Sequence, residues 1–361
     1  MINRAVEAIG RSTGRAWAAG QRHRGLGAVL RALRGHALEV VAVLCLLALV
    51  LAVDPATLAG VFRHTDVRLV LVMLPVTLAM YLARSVGWWI TLREVGVDVD
   101  LPHSVAVEFA GQTMVFMPTG DLARIALIKE VTATRRSGGE LTATIAFNEL
   151  LFMTIIGLGV LPRVATHPDV ALLVVAMVVA HLLILTVLVW EPAYNWAIRT
   201  IERIKVLRRF DPQLRSIRPA FLELLHVRVV VPVVFCNAVA VGLSFLLFYL
   251  SLHAIGQGQV SLVTAAFVLA LSHILSGLSL IPGGVGPFEG LLTVLLITSG
   301  VPPASGAAAG LLYRAFNDIL MAGIGAAFLV MIRSGRLRER QPGLRRRGTG
   351  AARARRKPAP R

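Results

Sequence analysis

The chain has 361 residues, 56% of them hydrophobic, and its mean hydropathy is +0.72. Several apolar runs have the length of about 20 residues that crosses a hydrocarbon core, which excludes a soluble globular protein. The net charge is +17, but the basic residues lie in segments that flank the apolar runs, as the positive-inside rule describes. We therefore expect a membrane protein with no nucleic-acid partner.

Six apolar runs predict full membrane spans. In chain order they lie at about 37–53, 68–91, 141–162, 170–190, 229–252 and 306–332. Two more apolar stretches, 103–130 and 260–300, are interrupted near their middle by Pro and Gly. The predicted fold is all-α: a polytopic membrane domain over 36–332, with a basic segment at 1–35 and a basic tail at 333–361 that we expect to be disordered.

The charge distribution predicts that both termini lie in the cytoplasm. Residues 1–35 hold seven Arg, 191–228 hold eight Lys or Arg and 333–361 hold twelve, whereas the loop 253–259 holds none. The positive-inside rule is satisfied if each interrupted stretch enters and leaves on one side of the membrane. A re-entrant hairpin and a pair of crossing segments both return the chain to the side of the membrane from which it entered. Charge therefore does not decide between them.

The sequence contains an internal repeat of two short motifs in the same order. "FMPTGDL" at 116–122 corresponds to "LIPGGVG" at 280–286, and "FNEL" at 147–150 corresponds to "FNDI" at 316–319. The repeats imply two units, each consisting of a span, a broken hairpin and a second span.

The two units extend over about 66–162 and 229–332, and the charge pattern gives them opposite orientations in the membrane. Inverted repeats with discontinuous helices are the architecture of many secondary transporters, which bind their substrate where the repeats meet. We therefore expect about six full spans plus two broken hairpins arranged as inverted repeats.

The breaks in the two hairpins predict a binding cavity. Irregular backbone at membrane depth is tolerated where it is buried in protein or lines a cavity. Helices that restart after a break direct their positive N-terminal ends toward such a cavity, and these ends favour anions such as phosphate. The residues predicted to form the breaks are Gly120, Asp121, Pro282, Gly283, Gly284 and Gly286. The alternative is a kinked helix packed tightly through its glycines.

Ionisable residues inside predicted spans are further candidates, because they are costly in a membrane. They are Asp121, Arg124, Glu149, Glu289, Arg314 and Asp318. A structural role is the alternative for Asp121 with Arg124, as a helix-start pair, and for Arg314 with Asp318, which share a helix face. Arg84 is expected either to join the site or to extend to the lipid headgroups. Glu149 and Glu289 have no obvious partner in the sequence.

Residues suited to catalysis or metal binding do not form a pattern. Cys45 and Cys236 lie inside predicted spans and have no metal-ligand spacing. The sequence contains no phosphate loop and no nucleophile elbow. We therefore predict a protein that is not an enzyme and that uses no cofactor or metal.

Three segments of the chain resemble a known family: "GQTMVFMPTGDLARI", "SLIPGGVGPFEG" and, more weakly, "LLYRAFNDIL". They are similar to the flippase-like membrane family related to the lysylphosphatidylglycerol synthase transmembrane region. The resemblance implies a multi-pass protein of the bacterial inner membrane that binds or flips lipids. The positions it implies for the site are Gly120, Asp121, Arg124, Pro282, Gly283, Gly284, Gly286, Glu289 and Arg314.

The chain departs from the family pattern in the span that follows the first break. The family often has Glu-Arg there, whereas this chain has "NEL" with Glu149 and no Arg. Some relatives also carry a soluble aminoacyl-transferase domain. Only the tail 333–361 follows the last predicted span, so we expect that synthase activity to be absent.

These features together favour a lipid translocase. Its substrate would be an anionic lipid, either a phospholipid or a polyprenyl phosphate, whose headgroup binds in a polar cavity between the units. Carboxylates beside the site would suit a lipid amine or a coupled proton. The alternatives are a non-transporting partner that presents lipid to a separate synthase or glycosyltransferase, a transporter of small solutes and, least supported, an intramembrane enzyme.

Overall fold

The computed structural model describes residues 55–114, 120–164, 168–203, 211–277 and 284–337. These parts are helical and contain no β-strand. The first predicted span, 37–53, lies outside the described residues. The segments 115–119 and 278–283, at the centres of the two predicted breaks, and most of both basic termini also lie outside them.

The helices of the described part alternate between long and short elements. In chain order they are α1 Pro55–Arg63, α2 Val67–Glu94, α3 Leu101–Gly111, α4 Gly120–Thr132, α5 Gly138–Leu158, α6 Leu161–Val164, α7 Pro168–Val189, α8 Glu191–Glu202, α9 Asp211–Glu223, α10 Val227–Ala254, α11 Leu262–Gly277, α12 Pro287–Thr298, α13 Pro303–Arg314 and α14 Met321–Arg333. A short 3₁₀ turn, Gln112–Met114, follows α3, and a π-helical segment, Ala315–Leu320, joins α13 to α14.

Four described helical stretches are long and apolar enough to cross a membrane. They are Val67–Glu94, Gly138–Arg163, Val227–Ala254 and Pro303–Arg333, and they confirm the helices predicted at 68–91, 141–162, 229–252 and 306–332. The helix predicted at 170–190 corresponds to α7, Pro168–Val189. Val175–Val189 passes the same test only together with Glu191–Glu202, and the two helices meet at an angle of 93°.

Both interrupted apolar stretches form two short helices instead of one long helix. The first stretch forms α3 and α4, and the second forms α11 and α12. The two helices of each pair pack against each other. With 11 to 16 residues they extend over roughly 16–24 Å at about 1.5 Å per residue, less than the roughly 30 Å of a hydrocarbon core.

The longest helices, α2 and α10, form an antiparallel pair that is joined at both ends. The Asp66 N–H, just before α2, donates to the carbonyl oxygen of Ala254 at 2.7 Å. At the other end, Arg228 Nη2 lies 2.8 Å from Glu94 Oε1. The first long helix of one predicted unit therefore runs opposite to the first long helix of the other.

Helices from the two predicted units also pack against each other beyond this pair. Helix α3 of the first unit packs against α14 of the second, and α11 of the second unit packs against α5 of the first. The first contact requires Gly325, because a Cβ at this position would overlap the carbonyl oxygen of Phe109. Close backbone approach through small residues is the usual way in which membrane helices associate.

Local sequence explains where several helices begin. Asp66 accepts a hydrogen bond from the backbone of Arg68 at the start of α2. Ser137 and Glu140 form a capping box at the start of α5, with Glu140 Oε2 2.6 Å from the Ser137 N–H. Such caps satisfy backbone donors that have no partner within the helix.

Candidate functional site

Four ionisable side chains meet beside the first break, and we name them the first-break cluster. They are Arg84 of α2, Glu108 of α3, Arg124 of α4 and Glu149 of α5. Arg124 Nη1 donates to Glu108 Oε2 at 2.6 Å, and Arg84 Nη2 donates to Glu149 Oε1 at 2.7 Å. Cross-contacts of 3.9 and 3.4 Å connect the two pairs.

The first-break cluster is buried on one side and partly exposed on the other, where the side chains of Arg84 and Glu149 are 20% and 28% exposed. Glu108 and Arg124 are buried, and the Arg124 guanidinium lies 5.6 Å from the centre of the Trp88 ring. Arg84 lies 4.7 Å from the centre of the Phe152 ring. A cavity of only about 10 Å³ remains among these groups. The cluster has two positive and two negative groups and no room for a ligand.

The structure changes the interpretation of several sequence candidates here. Glu149 forms ion pairs with Arg84 and Arg124. The sequence did not reveal either partner. Arg84 forms an ion pair inside the bundle, so the headgroup alternative for this residue is wrong. Gly120 begins α4, and the side chain of Asp121 lies outside the described part of the structure.

A second set of ionisable side chains, Glu289, Arg314 and Asp318, meets beside the second break, and we name it the second-break cluster. Arg314 Nε forms an ion pair with Glu289 Oε1. Arg314 Nη1 lies 2.9 Å from Asp318 Oδ2. Asn317 Nδ2 donates to the other oxygen of Asp318 at 2.7 Å. The predicted Arg314–Asp318 pair is therefore confirmed, and Glu289 joins it.

The turn before α12 depends on glycines and on Glu289. Gly284 and Gly286 have φ angles of +59° and +89°, which are accessible to glycine at little cost. The Gly286 N–H donates to Glu289 Oε2 at 2.7 Å. This donor, expected to face a ligand, is thus occupied by the protein's own carboxylate. Pro282 and Gly283 lie outside the described residues.

Asn317 and Asp318 lie in the π-helical segment, which sequence reasoning did not predict. A π-helical turn widens the backbone locally and is frequent at functional sites. Tyr81 of α2 donates its hydroxyl hydrogen to the carbonyl oxygen of Asn317 at 2.8 Å. This bond links the first predicted unit to the π-helical segment of the second.

A cavity of about 280 Å³ opens beside the second-break cluster. Most of its wall comes from the second predicted unit, and Met153 of α5 comes from the first. The lining residues are Met153, His273, Ser276, Gly277, Gly284, Phe288, Tyr313, Arg314, Asn317 and Asp318. Met153 is 37% exposed and Gly277 is also exposed, so the cavity reaches the surface of the helix bundle.

The cavity lies at mid-span depth. Asp318 is fifteen residues from each end of the stretch Pro303–Arg333, and Met153 is fifteen residues from the start of Gly138–Arg163. Asp318 is thus at the midpoint of one candidate span, and Met153 is near the middle of another.

Sequence reasoning missed Glu108, His273, Tyr81 and Tyr313. Glu108 had a detectable signal, because it is the one acidic residue in an apolar run that extends from 103 to 120. His273 packs edge-on against Phe288, with ring centres 4.7 Å apart. The Tyr313 hydroxyl lies 2.9 Å from Ser244 Oγ. The roles of His273 and Tyr313 become visible only when α10, α11, α12 and α13 are packed.

Comparison with known proteins identifies a relative and a family. Over 333 residues the chain is 24% identical to a UPF0104 membrane protein of Methanothermobacter thermautotrophicus, and the alignment covers 81% of this chain and 94% of that protein. The family model described as the lysylphosphatidylglycerol synthase TM region matches residues 37–325. Both breaks and both ion clusters lie within this match, and the chain belongs to the family of the lysylphosphatidylglycerol synthase TM region.

Proposed function

We propose that this protein is a membrane lipid translocase that binds a phosphate-bearing headgroup in the cavity beside the second-break cluster. The observation that carries the proposal is a cavity of about 280 Å³ beside the middle of a candidate span, whose wall includes the ionisable side chains of Arg314, Asp318 and His273. Ionisable groups inside membrane spans mark substrate or ion pathways by default.

The size and the opening of the cavity fit a lipid headgroup better than a whole lipid or an enclosed solute. Its volume lies near the lower end of the roughly 300–1,000 Å³ of ligand pockets. The opening is flanked by Met153 and Gly277, and Ile319 beside it is 61% exposed. An apolar surface at this depth faces acyl chains, so a headgroup can enter laterally while its chains stay in the bilayer.

We further propose that the membrane domain consists of two inverted units that enclose this site. The antiparallel α2 and α10, the paired short helices and the reciprocal packing of α3 on α14 and α11 on α5 support this arrangement. The broken hairpins would be re-entrant, with both termini in the cytoplasm of a bacterial cell. Cysteine labelling of residues 256–258 from outside the cell tests this orientation, and labelling from the cytoplasm alone contradicts it.

Lipid movement in proteoliposomes tests the function. Headgroup-labelled anionic and zwitterionic lipids are compared with the use of an impermeant quencher. Arg314→Gln should slow movement about tenfold or more, because a hydrogen bond to a charged group is worth about 1.5–3 kcal/mol. Arg228→Gln, which breaks an exposed ion pair with Glu94 outside the cavity, is the matched control and should move lipid at the wild-type rate.

Two other outcomes of this assay would favour a different function or a different site. Wild-type protein that co-purifies with phospholipid but never accelerates movement would favour a non-transporting partner of a lipid-modifying enzyme. Equal loss of movement in Arg314→Gln and Arg228→Gln would remove the cavity as the site.

A further inference from the structure

The two ion clusters differ in charge balance and in the space around them. The first-break cluster has two Arg and two Glu, and only about 10 Å³ of space remains beside it. The second-break cluster has Arg314 against Glu289 and Asp318, beside a cavity of about 280 Å³. If all three of its groups are ionised, the second-break cluster has a surplus of one negative charge next to an open cavity.

In the described part of the chain, the ion pair of Asp318 is with Arg314, which also pairs with Glu289. Among the described residues, the charged and titratable groups that interact with it are Tyr81 of α2, Glu289 of α12, and Tyr313 and Arg314 of α13. His273 of α11 lines the same cavity, and Arg84 of α2 lies close to Tyr81 and Tyr313. Arg84 is already paired with Glu149 at 2.7 Å. A buried charge without compensation is costly, and in practice such a group takes up a proton or pairs with a cation.

The two carboxylates of the second-break cluster have different roles. Glu289 is fully buried and holds both Arg314 and the Gly286 N–H that begins α12. Asp318 lines the cavity, its side chain is 12% exposed, and it lies on the π-helical segment. Asp318 is therefore the carboxylate that can exchange a proton with the cavity.

A phosphate that enters the cavity competes with Asp318 for the same donor. Arg314 Nη1 now donates to Asp318 Oδ2 at 2.9 Å. An anionic headgroup that binds there without a proton would raise the surplus from one negative charge to two at mid-membrane depth. When Asp318 takes up one proton from water, it no longer requires the hydrogen bond from Arg314. The surplus of the cluster then stays at one negative charge after a phosphate monoanion binds.

We propose that Asp318 takes up one proton for each phosphate monoanion that binds at Arg314. This coupling rests on the function proposed above and describes how protonation would regulate lipid binding at the same site. No covalent bond of the lipid changes: the proton adds to a carboxylate oxygen of Asp318, and the phosphate oxygen accepts the hydrogen bond from Arg314. Transport of an anionic lipid would then be a symport with protons.

Proton uptake during binding tests the coupling directly. The full chain in nanodiscs of zwitterionic lipid is mixed with short-chain phosphatidylglycerol in weak buffer containing a pH indicator. In the pH range where Asp318 is ionised in the free protein and protonated in the complex, wild-type protein should take up about one proton per bound lipid. Its affinity should fall about tenfold per pH unit across that range, as one-proton linkage requires. Asp318→Asn should bind with no proton uptake and with pH-independent affinity.

Two further variants keep the result interpretable. Asp318→Glu should retain the proton uptake, which shows that the carboxyl group itself is needed. Glu94→Gln removes a carboxylate from an Arg ion pair outside the cavity and should behave as the wild type does. Variants are compared only as monodisperse samples. Uptake of a proton by Asp318→Asn on binding would overturn the assignment to this residue.

The failure of the coupling can be distinguished from the failure of the function. Wild-type protein that binds phosphatidylglycerol with pH-independent affinity and no proton uptake overturns the coupling and leaves the translocase proposal intact. No binding at any pH overturns both. Inorganic phosphate and glycerol phosphate are tested as competitors. Binding of these anions as tight as that of the lipid would identify a small-anion site and overturn the lipid assignment.

Discussion

The hydroxyl of Tyr81 donates to the carbonyl oxygen of Asn317 at 2.8 Å, across 236 positions of the chain. The carbonyl belongs to the π-helical segment that also presents Asp318. Tyr81 packs edge-on against Phe109 of α3, with ring centres 6.1 Å apart. One side chain thus connects the long helix of the first unit, the first broken hairpin and the segment that lines the cavity.

Tyr81→Phe should reduce both stability and lipid movement. The substitution leaves the Asn317 carbonyl without this donor, which costs about 1–3 kcal/mol for a buried group. The measurements are thermal unfolding in detergent and the proteoliposome assay. Tyr194→Phe is the matched control, because Tyr194 also donates to a backbone carbonyl, that of Leu214, away from the cavity. Equal loss of lipid movement in both variants would contradict a specific role for Tyr81.

Gly325→Ala should destabilise the contact between α14 and α3. The added methyl group would overlap the Phe109 carbonyl oxygen, and overpacking of this kind costs about 1–3 kcal/mol. Gly323→Ala lies on the same helix, where a Cβ meets no atom within 4 Å, and should be neutral or stabilising by up to about 1 kcal/mol. Thermal unfolding of the two variants provides the comparison, and equal stability would show that α14 and α3 are further apart.

The first-break cluster should behave as a closed structural unit. Arg124→Met or Glu108→Leu alone leaves a buried charge without its partner, which costs about 3–5 kcal/mol. The double variant removes both charges and should recover most of the loss. A double-mutant cycle measured by unfolding gives the coupling energy. Additive losses would contradict the direct Arg124–Glu108 contact of 2.6 Å.

The helix α8 should lie in the interface of the membrane. It follows α7 after the 93° bend, buries Tyr194 and Ile198, and leaves Trp196 69% exposed. An amphipathic helix with an exposed Trp and Arg199 is suited to the boundary between headgroups and acyl chains. Brominated lipids test the depth in variants that retain one Trp.

In that experiment, Trp196 should be quenched by bromines near the headgroup end of the chain and not by those near the terminal methyl. The buried Trp88, which is 2% exposed, is the control and should resist quenching at every depth. Quenching of Trp196 that is strongest at the chain centre would instead place α8 within the hydrocarbon core.

The sequence by itself determined the long helices and the positions of the breaks. The apolar runs at 68–91 and 229–252 became α2 and α10 because a helix satisfies its own backbone in a membrane. In the described residues, α11 ends at Gly277 and α12 begins at Pro287 after Gly286, as Gly and Pro at helix ends predict. The motif that contains Arg314 and Asp318 also sufficed to predict their pairing, because residues four apart share one face of a helix.

Only the tertiary structure decided which charges meet over longer distances. Arg84 and Glu149 are separated by 65 positions, and Glu108 and Arg124 by 16 across a break. Their contacts require α2, α3, α4 and α5 to be packed, and no local pattern encodes that packing. The same holds for the cavity, whose volume and lining depend on how α5, α11 and the π-helical segment fit together. Local hydrophobic length and turn chemistry thus determine the elements, whereas side-chain packing between distant elements determines the site.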